Sequence, residues 1–136
     1  MGYELADHTA DIAVEATGET LGDVFAAVAD GMAAAMCEDV SPGGTRYTVE
    51  VSAENREALL FDYLDRLIYE RDVQGVLPVD NDATVESTEG EWHVRATYRG
   101  VGLEAVSARD LKAVTYSEMD LSETDSGWHA YVVFDV

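Results

Sequence analysis

Apolar residues recur along this chain with two periods, and the periods divide it into strands and helices. Tyr3-Glu4-Leu5 is a short strand-like start. Ile12, Val14 and Ala16 then alternate with Ala13, Glu15 and Thr17, the two-residue repeat of a strand, which Gly18 ends. Leu21, Val24, Phe25, Val28, Met32 and Met36 follow at helical spacing. Thr20 sits where an N-cap belongs, and Asp23 completes a capping-box pattern. Ser41-Pro42-Gly43-Gly44 reads as a loop, and Tyr47, Val49 and Val51 mark a second alternating strand. A second helix begins near Ala53-Glu54, with Leu59, Leu60, Tyr63, Leu64, Leu67 and Ile68 on its apolar face and Arg56, Asp62, Asp65, Arg66 and Glu70 covering the rest.

Strand signals dominate the second half. Pro78 limits its segment to an edge or irregular strand, because proline cannot donate to a ladder. Residues 82–86 and 92–98 read as hairpin arms around Ser87-Thr88-Glu89-Gly90. Gly100 to Glu104 bends the chain, 107–110 makes a short turn, 112–121 is a strand and 122–127 a loop. In the last segment Trp128, Ala130, Val132, Phe134 and Val136 point one way, and His129, Tyr131, Val133 and Asp135 the other. There is no repeat and no linker. The pattern predicts one α+β domain over 1–136, with two main helices packed on one face of a largely antiparallel sheet.

Charge changes the picture. The chain has 28 acidic and 8 basic residues, a net charge of −20, yet 47% of its residues are hydrophobic. An acidic disordered tail would lack that apolar content. Seven basic residues are Arg; the only Lys is Lys112. An ordinary core under an acid-coated, lysine-poor surface is the composition of proteins from salt-accumulating halophiles, where a screening length of ~3 Å or less tolerates the self-repulsion. The same balance argues against direct nucleic-acid binding, which draws its affinity from Lys and Arg on phosphates. No signal peptide or membrane-length apolar run is present, so the cytoplasm is the expected location. Cys37 is a lone cysteine at the end of an apolar helical stretch, most simply a small buried or semi-buried residue.

No Gly-x-Ser-x-Gly elbow, His-Glu-x-x-His, paired-cysteine or phosphate-loop motif occurs. The densest polar stretch is Asp7-His8-Thr9-Ala10-Asp11, between two strand candidates. A turn in which Asp7 and Thr9 bond their own backbone would explain it as well. Asp11 opens the first long strand, Asp135 is penultimate, and Val136 carries the terminal carboxylate. Neighbouring strands would gather these three carboxylates, which repel unless a cation lies among them. Oxygen ligands favour Ca²⁺ or Mg²⁺ over zinc. In so acidic a chain, an aspartate near each end carries little weight alone.

The order of motifs carries more. Tyr3-Glu4, Asp7-His8-Thr9-Ala10-Asp11, the Leu59-Leu60-x-x-x-Leu64-x-x-Leu67 helix, Lys112-Ala113-Val114-Thr115-Tyr116 and the closing Val132-Val133-Phe134-Asp135-Val136 resemble the archease family over essentially the whole chain. The chain departs from that pattern at Gly102-Leu103-Glu104, where no histidine follows, and at Ser117, where the family often has His. The resemblance implies an accessory protein, not an enzyme acting alone. It would activate the GTP-dependent tRNA-splicing RNA ligase of the RtcB type by promoting guanylylation. It would hold a divalent cation, usually Ca²⁺, on Asp11, Asp135 and the Val136 carboxylate. Asp7, His8 and Lys112 are the residues assigned to partner binding. A chaperone-like modulator of an RNA cytosine methyltransferase is the second reading, and a metal-dependent hydrolase on the same carboxylates the third.

The charge makes a prediction of its own. Lowering KCl from about 3 M to about 0.2 M restores repulsion among the surface carboxylates and lowers the melting temperature. Millimolar Ca²⁺ partly restores it by binding the native state. Equal melting temperatures at the two salt concentrations would remove the halophilic reading.

Overall fold

The computed structural model describes residues 2–7, 11–37, 40–103 and 111–136, with the backbone alone at 5–7. Its strands are β1 (Gly2–Asp7), β2 (Asp11–Gly18), β3 (Thr45–Ala53), β4 (Val76–Thr88), β5 (Glu91–Gly102), β6 (Ala113–Thr124) and β7 (Gly127–Asp135). Its helices are α1 (Leu21–Met36) and α2 (Arg56–Gln74). The class is α+β, and the antiparallel strands divide into two sheets of order β1-β2-β7-β6 and β3-β5-β4. Alternation along a strand shows which face is apolar but not which strands share a ladder. The predicted turn at 107–110 lies outside the described residues.

Both helices begin where capping side chains satisfy free N–H groups. The Thr20 hydroxyl accepts from the Asp23 N–H at 3.1 Å, and the Asp23 carboxylate accepts from the Thr20 N–H at 3.3 Å. Asn55 caps α2 by accepting from the Ala58 N–H at 2.8 Å. Gly75 closes α2 in the left-handed conformation, φ 66°. Two glycines inside α1 weaken it, by about 1 kcal/mol each relative to alanine, and in return permit close approach. A Cβ on Gly22 would strike the Ala83 carbonyl of β4, and one on Gly31 would meet Val14 and Tyr3. Thus α1 packs on β1, β2 and β7 of one sheet and β4 of the other, while α2 packs on β3, β4 and β5 and reaches β6. Arg56 adds a further tie, its guanidinium lying 5.8 Å from the ring centre of Trp92 on β5 and 5.0 Å from that of Trp128 on β7.

The core contains all six residues of the predicted α2 stripe. Cys37 is buried at the end of α1, as expected. Two bulges interrupt the ladders, at Val79/Asp82 in β4 and at Thr115/Asp120 in β6. The first turns Asn81 towards α1, where its N–H and its Nδ2 both donate to the Asp30 carboxylate at 2.9 Å. The second projects Tyr116, which stacks on Phe61 at 4.2 Å. The strand β6 runs on to Thr124, and the turn to β7 is tight, where a loop over 122–127 was expected.

Glu70 corrects the sequence reading. The helical spacing predicts it on the solvent side of α2, but it is only 6% exposed. Its carboxyl group accepts from the Tyr98 hydroxyl at 2.8 Å and from Arg66 Nε at 3.3 Å. Helical spacing alone puts position 70 at the edge of the stripe, and β5 supplies the partner that lets it go under. Tyr63 is the contrasting case: fully buried, stacked on Phe25, and with no hydrogen-bond partner for its hydroxyl among the described residues. Burial pushes the pKa of both tyrosines up.

Removing these hydroxyls therefore has different results. Tyr98→Phe leaves a buried carboxyl group short of a donor and costs about 1.5–3 kcal/mol. Tyr63→Phe discards an unpaired polar atom and is neutral or stabilising. Urea denaturation of the two variants checks this; equal losses would contradict it.

Candidate functional site

The pairing of β2 with β7 decides what lies beside what. Its register sets Asp11 opposite Asp135, Ile12 opposite Phe134, Ala13 opposite Val133 and Val14 opposite Val132. Directly opposed residues send their side chains to the same face, here the face away from the helices. Asp11 is half-buried and Asp135 is exposed. Beside them the usual alternation breaks down. Ile12, Ala13 and Val14 are all buried, and so are Val132, Val133 and Phe134. This end of the sheet is covered on both faces, and the two carboxylates stand at its rim.

Two further strands end at the same corner. Asp7 closes β1, opposite Ile12. Ala113 opens β6 opposite Asp135, and the Lys112 N–H donates to the Asp135 carbonyl at 2.9 Å. Val136, 39% exposed, follows Asp135 directly. The fold thus brings the backbone at Asp7, Asp11, Lys112, Asp135 and Val136 to one end of one sheet. His8 lies outside the described residues, as does the side chain of Asp7.

Among the described residues neither the Asp11 nor the Asp135 side chain has a hydrogen-bond or ion-pair partner. Like charges directly opposed on neighbouring strands destabilise the pair, and a cation would reverse the sign. The donor set is all oxygen, which suits a hard cation. It is also sparse: among the described residues no three His, Cys, Asp or Glu side chains converge to hold a metal ion.

Residues 3–136 match the model of the Archease protein family (MTH1598/TM1083). The chain belongs to the archease family. Protein archease of Thermococcus gammatolerans is 34% identical over 140 residues, covering 98% of each chain. Protein archease of Methanosarcina mazei is 36% identical over 143 residues, covering 98% of this chain and 95% of that one. The solution structure of Methanobacterium thermoautotrophicum protein 1598 superposes with a TM-score of 0.85 at 30% identity, over 99% of both chains. An archease from Thermotoga maritima shares the fold at a TM-score of 0.66 and 22% identity, over 98% of this chain and 96% of that one. These likenesses give this chain its family and its fold. None of its described helices is long and apolar enough to cross a membrane.

At the far end of the same outer face, roughly 20 Å along β7 from Asp135, lies a cluster that the sequence did not single out. His129 Nε2 is 3.0 Å from Glu15 of β2, and Nδ1 is 3.1 Å from Asp120 of β6. The Ser122 hydroxyl also donates to Asp120 at 3.0 Å. Glu15 and His129 stand 114 positions apart, and no local pattern joins them. Both ring nitrogens face carboxylate oxygens, so the ring is best satisfied as a double donor. The Glu15 bond raises the pKa of His129, burial opposes it, and the Asp120 bond raises it further.

The sign of the pH dependence follows. A raised folded-state pKa gives stabilisation that is complete below the ordinary histidine value of 6.5 and fades as pH rises through the folded value. The stability advantage over His129→Gln is therefore greatest near about pH 6, reaches no more than about 1 kcal/mol at this partly exposed site, and shrinks by about pH 9. Melting curves of both proteins across that range test it; an advantage growing with pH would overturn the assignment.

Proposed function

We propose that this archease activates a GTP-dependent RNA ligase of the RtcB type, promoting its guanylylation, with a divalent cation held at the corner of the four-stranded sheet. The reading is supported by one observation above all: Asp135 on β7 stands between Asp11 of β2 on one side and, on the other, the backbone of Lys112, the chain's only lysine. Asp11, Asp135 and the Val136 carboxylate hold the cation, Ca²⁺ before Mg²⁺. A bound cation would supply positive charge and fix the carboxylates of two adjoining strand ends. The chain's own residues do the rest. The sheet rim holds the aspartates in place, and Lys112 presents a compact ammonium that a planar guanidinium does not reproduce. Asp7 and His8 extend the contact surface. The partner is a protein, since so acidic a surface has little affinity for an RNA backbone.

The test is formation of ligase–GMP from purified ligase and GTP, with and without this protein. Acceleration is expected, reduced strongly by Asp11→Asn, Asp135→Asn and Lys112→Arg without loss of folding. Extending the chain beyond Val136 turns the terminal carboxylate into an amide and removes a unit of charge. Calorimetric Ca²⁺ affinity should then fall, whereas an N-terminal extension leaves it nearly unchanged. A guanylylation rate indifferent to the protein would exclude the ligase reading, and equal affinities for the two extensions would take Val136 out of the site.

A further inference from the structure

The last turn of α2 reaches the carboxylate corner through one side chain. Arg71 is 8% exposed. Its Nη1 donates to the Leu111 carbonyl at 2.6 Å and lies 3.4 Å from Met36 Sδ, while Nε holds Asp72 at 3.0 Å. Leu111 is wholly buried. The next N–H, that of Lys112, donates to the Asp135 carbonyl at 2.9 Å.

The Leu111 carbonyl and the Lys112 N–H are two ends of one planar peptide unit. That unit is therefore gripped at both ends, by a guanidinium on one side and by the Asp135 carbonyl on the other. The Asp135 carbonyl in turn belongs to the peptide that leads into Val136. A charged donor on one end of a peptide strengthens the hydrogen bond made by the other. Arg71 thus bears, through two peptide planes, on where Lys112, Asp135 and the Val136 carboxylate stand relative to one another. The same turn also takes the Leu103 N–H onto the Gly75 carbonyl at 3.0 Å, so α2 secures the chain ahead of this corner as well.

We infer that Arg71 is a positioning residue for the carboxylate corner, setting the Leu111–Lys112 peptide so that Lys112 and Asp135 hold their register. As far as it concerns a bound cation, this rests on the reading given under the proposed function. Charge and geometry make opposite predictions, which separates them. Removing a cation near a cation site raises Ca²⁺ affinity if Arg71 acts only through its field. It lowers affinity if Arg71 acts by holding the peptide.

The experiment compares the full chain with Arg71→Met, which retains a long apolar stem but no donor, and with Val24→Ala, a destabilised control in α1. Calorimetric Ca²⁺ affinity is measured well below the melting temperature, and amide hydrogen exchange is followed at Lys112 and, for reference, at Leu121 of β6. In Arg71→Met the affinity falls about tenfold, the scale of losing an outer partner of a metal ligand, and Lys112 exchanges faster relative to Leu121. In Val24→Ala neither changes. If Arg71→Met does not fold, Arg71→Lys keeps the charge but loses the planar fork and gives the same two shifts in the same direction. Unchanged Lys112 exchange, or an affinity that rises, overturns the proposal. Should the parent chain bind no Ca²⁺, the cation reading fails, and Lys112 exchange still decides the position of the peptide.

Discussion

The antiparallel pairing of β2 with β7 is the interaction on which the rest depends. It joins the first long strand to the last and forms the middle of the four-stranded sheet. Eight residue pairs are fixed by one register. A slip of a single residue would turn either Val14 and Ala16 or Val132 and Phe134 away from the core. The burial that holds the register also opposes Asp11 to Asp135. The carboxylate corner is a by-product of core packing, which fixes the backbone on which its aspartates stand.

The helices carry that firmness across the molecule. Each touches both sheets, and Arg56 adds a link between Trp92 and Trp128. Charge is kept outside with two exceptions, Glu70 and Arg71, the only buried charged residues in the described core. Adjacent on α2, they point to different neighbours. Glu70 meets Tyr98 of β5, and Arg71 meets the chain entering β6. A buried charge is costly unless its hydrogen bonds are made. Each of these is made across the interior, so both tie the helix to a strand that apolar contact alone would leave free to shift.

The outer face of the four-stranded sheet separates two kinds of carboxylate. Glu15 and Asp120 share His129 as a hydrogen-bond partner within the fold. Asp11 and Asp135, farther along the same strands, have no such partner among the described residues. In a chain of net charge −20, unpaired acids are common, and position is what distinguishes these two. They are opposed in register, on a rim backed by residues buried on both faces, beside the backbone of the only lysine. This combination makes the corner a better candidate for recognition than the acidic surface at large.

Periodicity by itself determined the two helices, most strands, the capping of α1 and the composition of the core. Each of these follows from neighbours three or four positions away, or two, and such spacing is written locally. Motif order determined the family, because Asp-His-Thr-Ala-Asp, Lys-Ala-Val-Thr-Tyr and a closing Asp-Val depend on identity rather than shape. Tertiary structure alone decided that the strands form two sheets, that Glu70 and Arg71 are buried, and that His129 lies between Glu15 and Asp120. It also decided the register that sets Asp11, already expected beside Asp135, directly opposite it. Each of these contacts joins positions far apart in the chain, and its energy arises only when the interior closes around both partners. An isolated stretch of sequence has the groups but not the desolvation that makes their pairing matter.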